Sequence, residues 1–534
     1  MKKELYDLTN PQKAIWLTEQ FSEGTSLNNV SGNIIIKDVV NFPLLEKSLN
    51  VYIQKNDALR LQLTMENNTP KQYLTAYEPF SIPKVELKSK EDWDQFNQTV
   101  VSIPFTLFDS PLYAFHLFSF PDGTGGLNVT FHHIVSDAWT MSLFIDEVMS
   151  IYEKLLKNEE IDTTPNASYL DYIRAEQEYQ KSERYQKDAN FWKQKFETEP
   201  EIAYIVGHKK NTNNTVAKRE TFRLPQDTLE KINAICKENK ASLYTFFMSI
   251  YGMYLSKVNN ISHFVIGTPV LNRLNAKDKK TAGMYISTNA FDFQINSSVD
   301  FLTYLSEVSS NQISIFRHQK YPYSAISNMV KETYGISDNL YDVALSYQNA
   351  RDNSKNAGIP YSTEWLFSGH ILESLEVHFY DMDNSGNLEI YYDYNVECFQ
   401  KEDIQKIHQR ILYMMEQVLE NPNQELKKIE VLTKEEAKET EEHFNHTEEE
   451  YDDSISIADL FRLWVQKNPN KEAIIFENQT LTYQQLEERS NSIAAYLQAN
   501  GIGHNQIVGI LLNKGFSLIV AMLGVLKAGA AYLL

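Results

Sequence analysis

Hydrophobic and polar positions along this chain recur in two rhythms. Spacings of three and four predict a helix over residues 11–21, with Asn10 as its cap and Pro11 in the first turn. Residues 29–38 read as a strand, 42–54 as a helix and 59–65 as a short strand. At Leu127, Val129 and Phe131 apolar side chains alternate with Asn128 and Thr130, and this strand pattern runs on to His133. Helical spacing returns over residues 140–155. Such a succession predicts a mixed sheet covered by helices, an α/β (α+β) fold.

Residues 181–198 are charged and helical, a bridge to a second half of the same mixture. There the strand "KRETFRL" leads to a helix over 228–238, and Ser242 caps a further helix whose apolar residues run all round, so it should be buried. Strands follow at 263–270, 342–347, 375–380 and 388–395, then an amphipathic helix over 401–420. The stretch after it, "NPNQELKKIEVLTKEEAKETEEHFNHTEEEYDD", is polar and acidic, and reads as a solvated linker. The pattern predicts one lobe over residues 1–178, a second over 179–430, a linker over 431–454 and a further compact unit over 455–534. The last unit stops inside a strand pattern, so a truncated domain is expected there.

With 534 residues, several compact units are expected, and a hydrophobic fraction of 42% with 31 Tyr and 28 Phe supplies large cores. A formal charge of −21 repels nucleic acid and anionic lipid. Cys236 and Cys398 lack a second sulfur or histidine at metal-ligand spacing and read as buried thiols of a cytoplasmic protein. The opening "MKKELYDLTNPQ" has no apolar run of a secretory signal, so the protein is expected to stay in the cell. Residues 516–526 are strongly apolar but bracketed by Lys514 and Lys527, too short for a membrane span and suited to a core helix. "DMDNSG" from Asp381 imitates a calcium loop, yet its last ligand position is Tyr392, so a hairpin turn is expected instead.

The chemistry-bearing stretch is "FHHIVSDAWT", residues 131–140. If the strand continues through His132 and His133, one ring faces a cavity and the other is structural. A neutral imidazole suits proton removal from a nucleophile at neutral pH. Asp137 could hold a ring nitrogen or pair with a distant arginine. From spacing alone, a structural histidine pair is the favoured reading. A third ligand for a metal is missing, and Ser136 lacks the G-x-S-x-G elbow of a serine hydrolase.

"HHIVSDAW" resembles the HHxxxDG signature of condensation domains of nonribosomal peptide synthetases, within the chloramphenicol acetyltransferase-like acyltransferases. Further segments in the family's order carry the resemblance: "NPQKAIWLTEQF", "QKNDALRLQL", "YLDYI", "VIGTPVLNR", "GMYIST", "RHQKYPYSAI" and "YDVALSYQN". It implies two chloramphenicol acetyltransferase-like lobes in a V-shaped pseudo-dimer. It implies that His133 faces a tunnel as general base or positioner for an attacking amine. His132 and Asp137 are then mainly structural, with the Asp137 carboxylate paired to Arg273, and Arg60 and Ala138 support the site. Ala138 stands where the family has glycine, so its methyl group is expected to crowd the tunnel or restrict the backbone if that position needs positive φ.

The resemblance implies no directly bound cofactor and no metal. Substrates arrive as phosphopantetheine thioesters on carrier domains, with acyl-CoA as a possible donor, and the partners are an aminoacyl carrier domain, an acyl donor and the rest of the synthetase module. Several segments resemble starter domains of lipopeptide synthetases, which acylate the first aminoacyl carrier with a fatty acyl group. The lack of a preceding carrier domain points the same way. An ordinary peptide-bond-forming domain and a noncatalytic recruitment module are the alternatives. "LTYQQLEERSNSIAAYL" and "LKAGAAYLL" resemble the first motifs of an adenylation domain, expected to be inactive without its phosphate-binding loop.

Overall fold

The computed structural model describes residues 3–20, 22, 24–205, 214–336, 339–348, 358–381 and 388–534. The chain divides into two compact units, Met1–Glu436 and Ala437–Leu534.

In the first unit the strand Gly125–His132 lies inside a five-stranded sheet. Its neighbours are Asn29–Ile36 and Tyr113–Ser119, both antiparallel to it. Leu127, Val129 and Phe131 face a core shared with Tyr52 and Phe144 from the helices Phe42–Lys55 and Ala138–Leu156. The polar face is buried as well. There Asn128 donates to Asn33 Oδ1 at 2.9 Å, and the Thr130 and Ser31 hydroxyls share a 2.8 Å bond, so each buried polar group is paired.

The second half builds a seven-stranded sheet around the helix Leu243–Asn259. Phe246, Phe247, Ile250 and Tyr251 of that helix are all buried, as its all-round apolar pattern requires. One strand from this half crosses over. Tyr361–Leu366 pairs antiparallel with Asn29–Ile36, from Tyr361 opposite Ile36 to Leu366 opposite Ser31, and forms an edge of the first sheet. A boundary near residue 178 therefore divides the sequence but not the sheets.

Several local expectations change. The cap of the first helix, Asn10–Glu19, is Thr9 rather than Asn10: Thr9 is extended and exchanges bonds with Gln12 in a capping box. The bridge over residues 181–198 is helical as expected, Glu183–Lys195 capped by Ser182, and a separate helix, Tyr169–Gln180, precedes it. Arg60 ends a 3-10 turn, Asp57–Arg60, ahead of the strand Leu61–Glu66. The polar stretch after residue 420 contains the helix Lys434–Asn445, which buries no side chain. Cys236 is buried, whereas Cys398 is half-exposed.

Most of the calcium-like loop, residues 382–387, lies outside the described residues. Strands Leu375–Tyr380 and Glu389–Asn395 pair antiparallel on either side of it.

The second unit packs the helix Phe516–Lys527 against Leu481 and Leu486. Among the described residues no helix is long and apolar enough to cross a membrane.

Candidate active site

The strand ends at His132, so the two imidazoles part company at a turn rather than along a continuing strand. The His133 N–H donates to Asn28 O at 2.7 Å, and the Val135 N–H to His132 O at 3.1 Å. His132 is 3% exposed. Its Nδ1 accepts the Ile134 N–H at 3.1 Å, which leaves the ring proton on Nε2, 3.2 Å from Glu19 Oε1. Burial works to raise the Glu19 carboxyl, but hydrogen bonds from His132 and Asn28 outweigh it and hold it below its ordinary value. His132 thus straps the turn to the end of the first helix.

His133 lines a cavity of about 800 Å³. Its walls come from both halves of the first unit, including Leu17, Tyr172, Met284, Tyr341 and Glu373. Burial pushes the His133 imidazole below its ordinary value, only partly offset by the Asp137 charge and the backbone of His133 and Ser136. The ring is therefore neutral at pH 7. Nδ1 is buried without a hydrogen bond of ordinary geometry among the described residues. Among the described residues no carboxylate is hydrogen-bonded to this ring.

Asp137 closes the turn and caps the helix Ala138–Leu156 by accepting the Thr140 N–H at 2.8 Å. The same carboxylate accepts from Arg273 Nη1 at 2.6 Å and Nη2 at 3.1 Å, and from the Tyr285 and Ile286 N–H groups at 3.0 and 3.2 Å. Both charged side chains are fully buried. Burial would raise the Asp137 carboxyl, but the Arg273 charge and these hydrogen bonds hold it below its ordinary value. Arg273 also donates to Thr140 Oγ1 at 3.0 Å and Gly283 O at 3.1 Å, and lies 4.1 Å over the Tyr285 ring. Gly283 sits at φ +143°, and a side chain there would meet the Tyr169 ring at 2.2 Å, so only glycine fits.

The structure thus joins His132, His133, Asp137 and Arg273 in one assembly. Arg60 stands apart: it lies outside the cavity wall and donates to Thr75 O at 2.6 Å. Ala138 is the first residue of its helix, lies outside the positive-φ region and does not line the cavity. The expectation that its methyl group strains the backbone or crowds the tunnel is corrected, because a first helical turn accepts alanine freely. Glu19, Thr140 and Tyr285 complete the assembly without having been singled out in the sequence. Only Thr140 carried a local signal, three residues after a capping aspartate. Among the described residues no cluster of three His, Cys, Asp or Glu side chains could hold a metal ion.

Two mixed sheets joined by an exchanged strand, with a cavity lined from both halves, make up a chloramphenicol acetyltransferase-like fold. The family model "Condensation domain" matches residues 2–440, and the chain belongs to the condensation-domain family of nonribosomal peptide synthetases. The model "AMP-binding enzyme" matches residues 461–534. The chain is 30% identical to surfactin synthase subunit 1 of Bacillus subtilis (strain 168) over 539 residues, covering 100% of this chain and 15% of that protein. It is also 30% identical to a plipastatin synthase of the same organism, covering 100% of this chain and 21% of the relative. The chain thus spans about a fifth or less of these relatives' length.

Among solved structures, the starter condensation domain of rhizomide synthetase in complex with C8-CoA superposes with a TM-score of 0.70 at 20% identity, over 80% of this chain and 98% of that one. A four-domain nonribosomal peptide synthetase bound to AMP and glycine gives a TM-score of 0.74 at 17% identity, over 100% of this chain and 42% of that one. Condensation domains are amide-forming acyltransferases, and the fold of residues 2–440 is theirs.

Proposed function

We propose that this condensation domain N-acylates a carrier-bound aminoacyl thioester with a fatty acyl group delivered by acyl-CoA or an acyl carrier protein. The observation that carries this reading is His133: a neutral imidazole on the wall of a cavity of about 800 Å³ lined from both halves. The amine nitrogen of the acceptor attacks the donor's thioester carbonyl, forming the C–N bond of the amide as the C–S bond breaks. His133 accepts the proton the amine loses and returns it to the departing thiolate, so thiol and amide leave with atoms balanced. The acceptor's phosphopantetheine arm keeps its thioester throughout the step, and the donor's thiol, of CoA or of the acyl carrier's arm, is the leaving group that takes the proton. Asp137 and Arg273 act through the turn, holding His133 at the cavity wall. Arg60 and Ala138 take no part in the step.

The starter reading is supported by the segments resembling lipopeptide starter domains and by the likeness to a starter domain crystallised with C8-CoA. Its partners are an aminoacyl carrier domain as acceptor and an acyl-CoA or acyl carrier donor, in the cytoplasm. No amino-acid activation is assigned to residues 461–534.

The test is a donor panel. The purified chain is mixed with aminoacyl carrier domain and acyl-CoA of graded chain length, acyl carrier protein or peptidyl carrier, and the adduct is read by intact-protein mass spectrometry. Acylation from acyl-CoA or acyl carrier protein is expected. Transfer from the peptidyl carrier alone would replace the starter reading with ordinary peptide-bond formation. No transfer from any donor would favour a noncatalytic recruitment role.

A further inference from the structure

At the second-half wall of the cavity, the chain places Tyr341, Asp342 and Glu373 together. Asp342 immediately precedes the strand Val343–Gln348, and Glu373 lies just before the parallel strand Leu375–Tyr380. Ser374 ties the two starts: its N–H donates to Asp342 O at 3.1 Å, and its hydroxyl donates to the Asp342 carboxylate. Glu373 also faces Glu376, whose carboxylate lies 3.5 Å from His378 Nε2. His378 is pushed up to about 9 by Asp393 and Glu376 despite its burial, so Glu376 has a cation beside it.

Glu373 has none among the described residues. Of the lysines lining the cavity, Lys277 is held by Asp171 at 2.7 Å, and neither Lys13, Lys320 nor Lys331 reaches Glu373 within ion-pairing distance. Burial, and then the like charges of Glu376 and Asp342, hold the Glu373 carboxyl well above its ordinary value. Burial and like charges thus keep this carboxyl protonated and hydrogen-bonded with Glu376, and a cation brought beside it by the substrate would favour its ionised form.

Independently, Tyr341 points to a polar ligand. It is 9% exposed, its ring packs on Tyr323 and against Gly267, and its hydroxyl has no hydrogen-bond partner among the described residues. That hydroxyl lies in the field of Glu373 and Glu376. The phenol oxygen of this buried ring, open to the cavity, is suited to accept an N–H bond.

We infer that Tyr341 and Glu373 form a subsite for the side-chain ammonium group of a cationic acceptor amino acid. The α-amine is not the group they hold: a carboxylate beside the nucleophile would keep it protonated and unreactive, so the acidic wall serves the end of the acceptor remote from His133. The inference rests on the proposed acylation reaction and adds the acceptor's chemical class to it.

The experiment compares ornithinyl and norvalyl carrier thioesters, which differ by one ammonium group, with the best acyl donor. The expected ratio of kcat/KM favours ornithinyl by about tenfold to a hundredfold, the worth of a hydrogen bond to a charged group. Glu373→Gln should collapse that ratio towards one, and Tyr341→Phe should lower it part of the way. A loss of folding or of general activity would lower both rates and leave the ratio fixed. A wild-type ratio near one, or a ratio that survives Glu373→Gln, overturns the subsite while leaving acylation standing. If neither acceptor is acylated by any donor, both the subsite and the proposed reaction fall.

Discussion

Asp137 performs two jobs with one carboxylate: it caps a helix and neutralises a buried guanidinium. Asp137→Asn keeps an acceptor for the Thr140 N–H but leaves Arg273 buried without a counter-ion, which should cost about 3–5 kcal/mol. Urea denaturation at pH 7 measures this, and a loss under about 1 kcal/mol, the range of an exposed pair, would show that the pair is solvated. Because the folded carboxyl lies below its ordinary value, its contribution is present above pH 3.8 and is lost as pH falls through the folded value. Ala138→Gly tests the opposite expectation. At the first position of a helix it should lower stability by no more than about 1 kcal/mol and leave the acylation rate unchanged. A large gain in rate would restore the idea that the methyl group obstructs the tunnel.

The strand carrying His132 depends on close approach to its neighbour. At Gly126 a Cβ would stand 1.9 Å from Ile34 O, a backbone atom that cannot move without parting the strands. Gly126→Ala should therefore destabilise by more than the roughly 1 kcal/mol of a typical substitution and lower acylation together with stability, by displacing the histidine turn. Thermal melts and turnover measured on the same preparation check the two effects, and a variant with wild-type melting would contradict the strand contact.

The strand itself was legible, because Leu127, Val129 and Phe131 alternate over a buried core. The crossing strand Tyr361–Leu366 was not. Its sequence, "YSTEWL", shows no alternation strong enough to mark a strand, and its partner Asn29–Ile36 lies more than three hundred residues away. The same separation hid the site's clamps. Asp137 and Arg273 are 136 positions apart, and Glu19 and His132 113 apart, so no local spacing could join them. Family resemblance supplied the first pair, and only the fold supplied the second.

Over the whole molecule, buried His408 and half-buried His378 set a stability window. His408, stacked 3.9 Å from the Phe222 ring, is pushed down to about 4 by burial. The unfolded chain binds its proton first, so stability should fall by about 3 kcal/mol as pH drops from about 6.5 to about 4. His408→Phe should flatten that limb in urea titrations across the same range, and an unchanged slope would assign it elsewhere. His378 acts in the other direction. Raised to about 9, its contribution is full below about 6.5 and is lost as pH rises through about 9.

The central claim is that this chain makes an amide bond in a cavity where His133 meets the attacking amine. It is tested most directly by single-turnover acylation of the aminoacyl carrier with wild-type protein and with His133→Ala, matched for melting temperature. The account predicts acyl-aminoacyl adduct from the wild type and a rate about 10²–10⁴-fold lower from the variant. Adduct formation at the wild-type rate without His133 would contradict it.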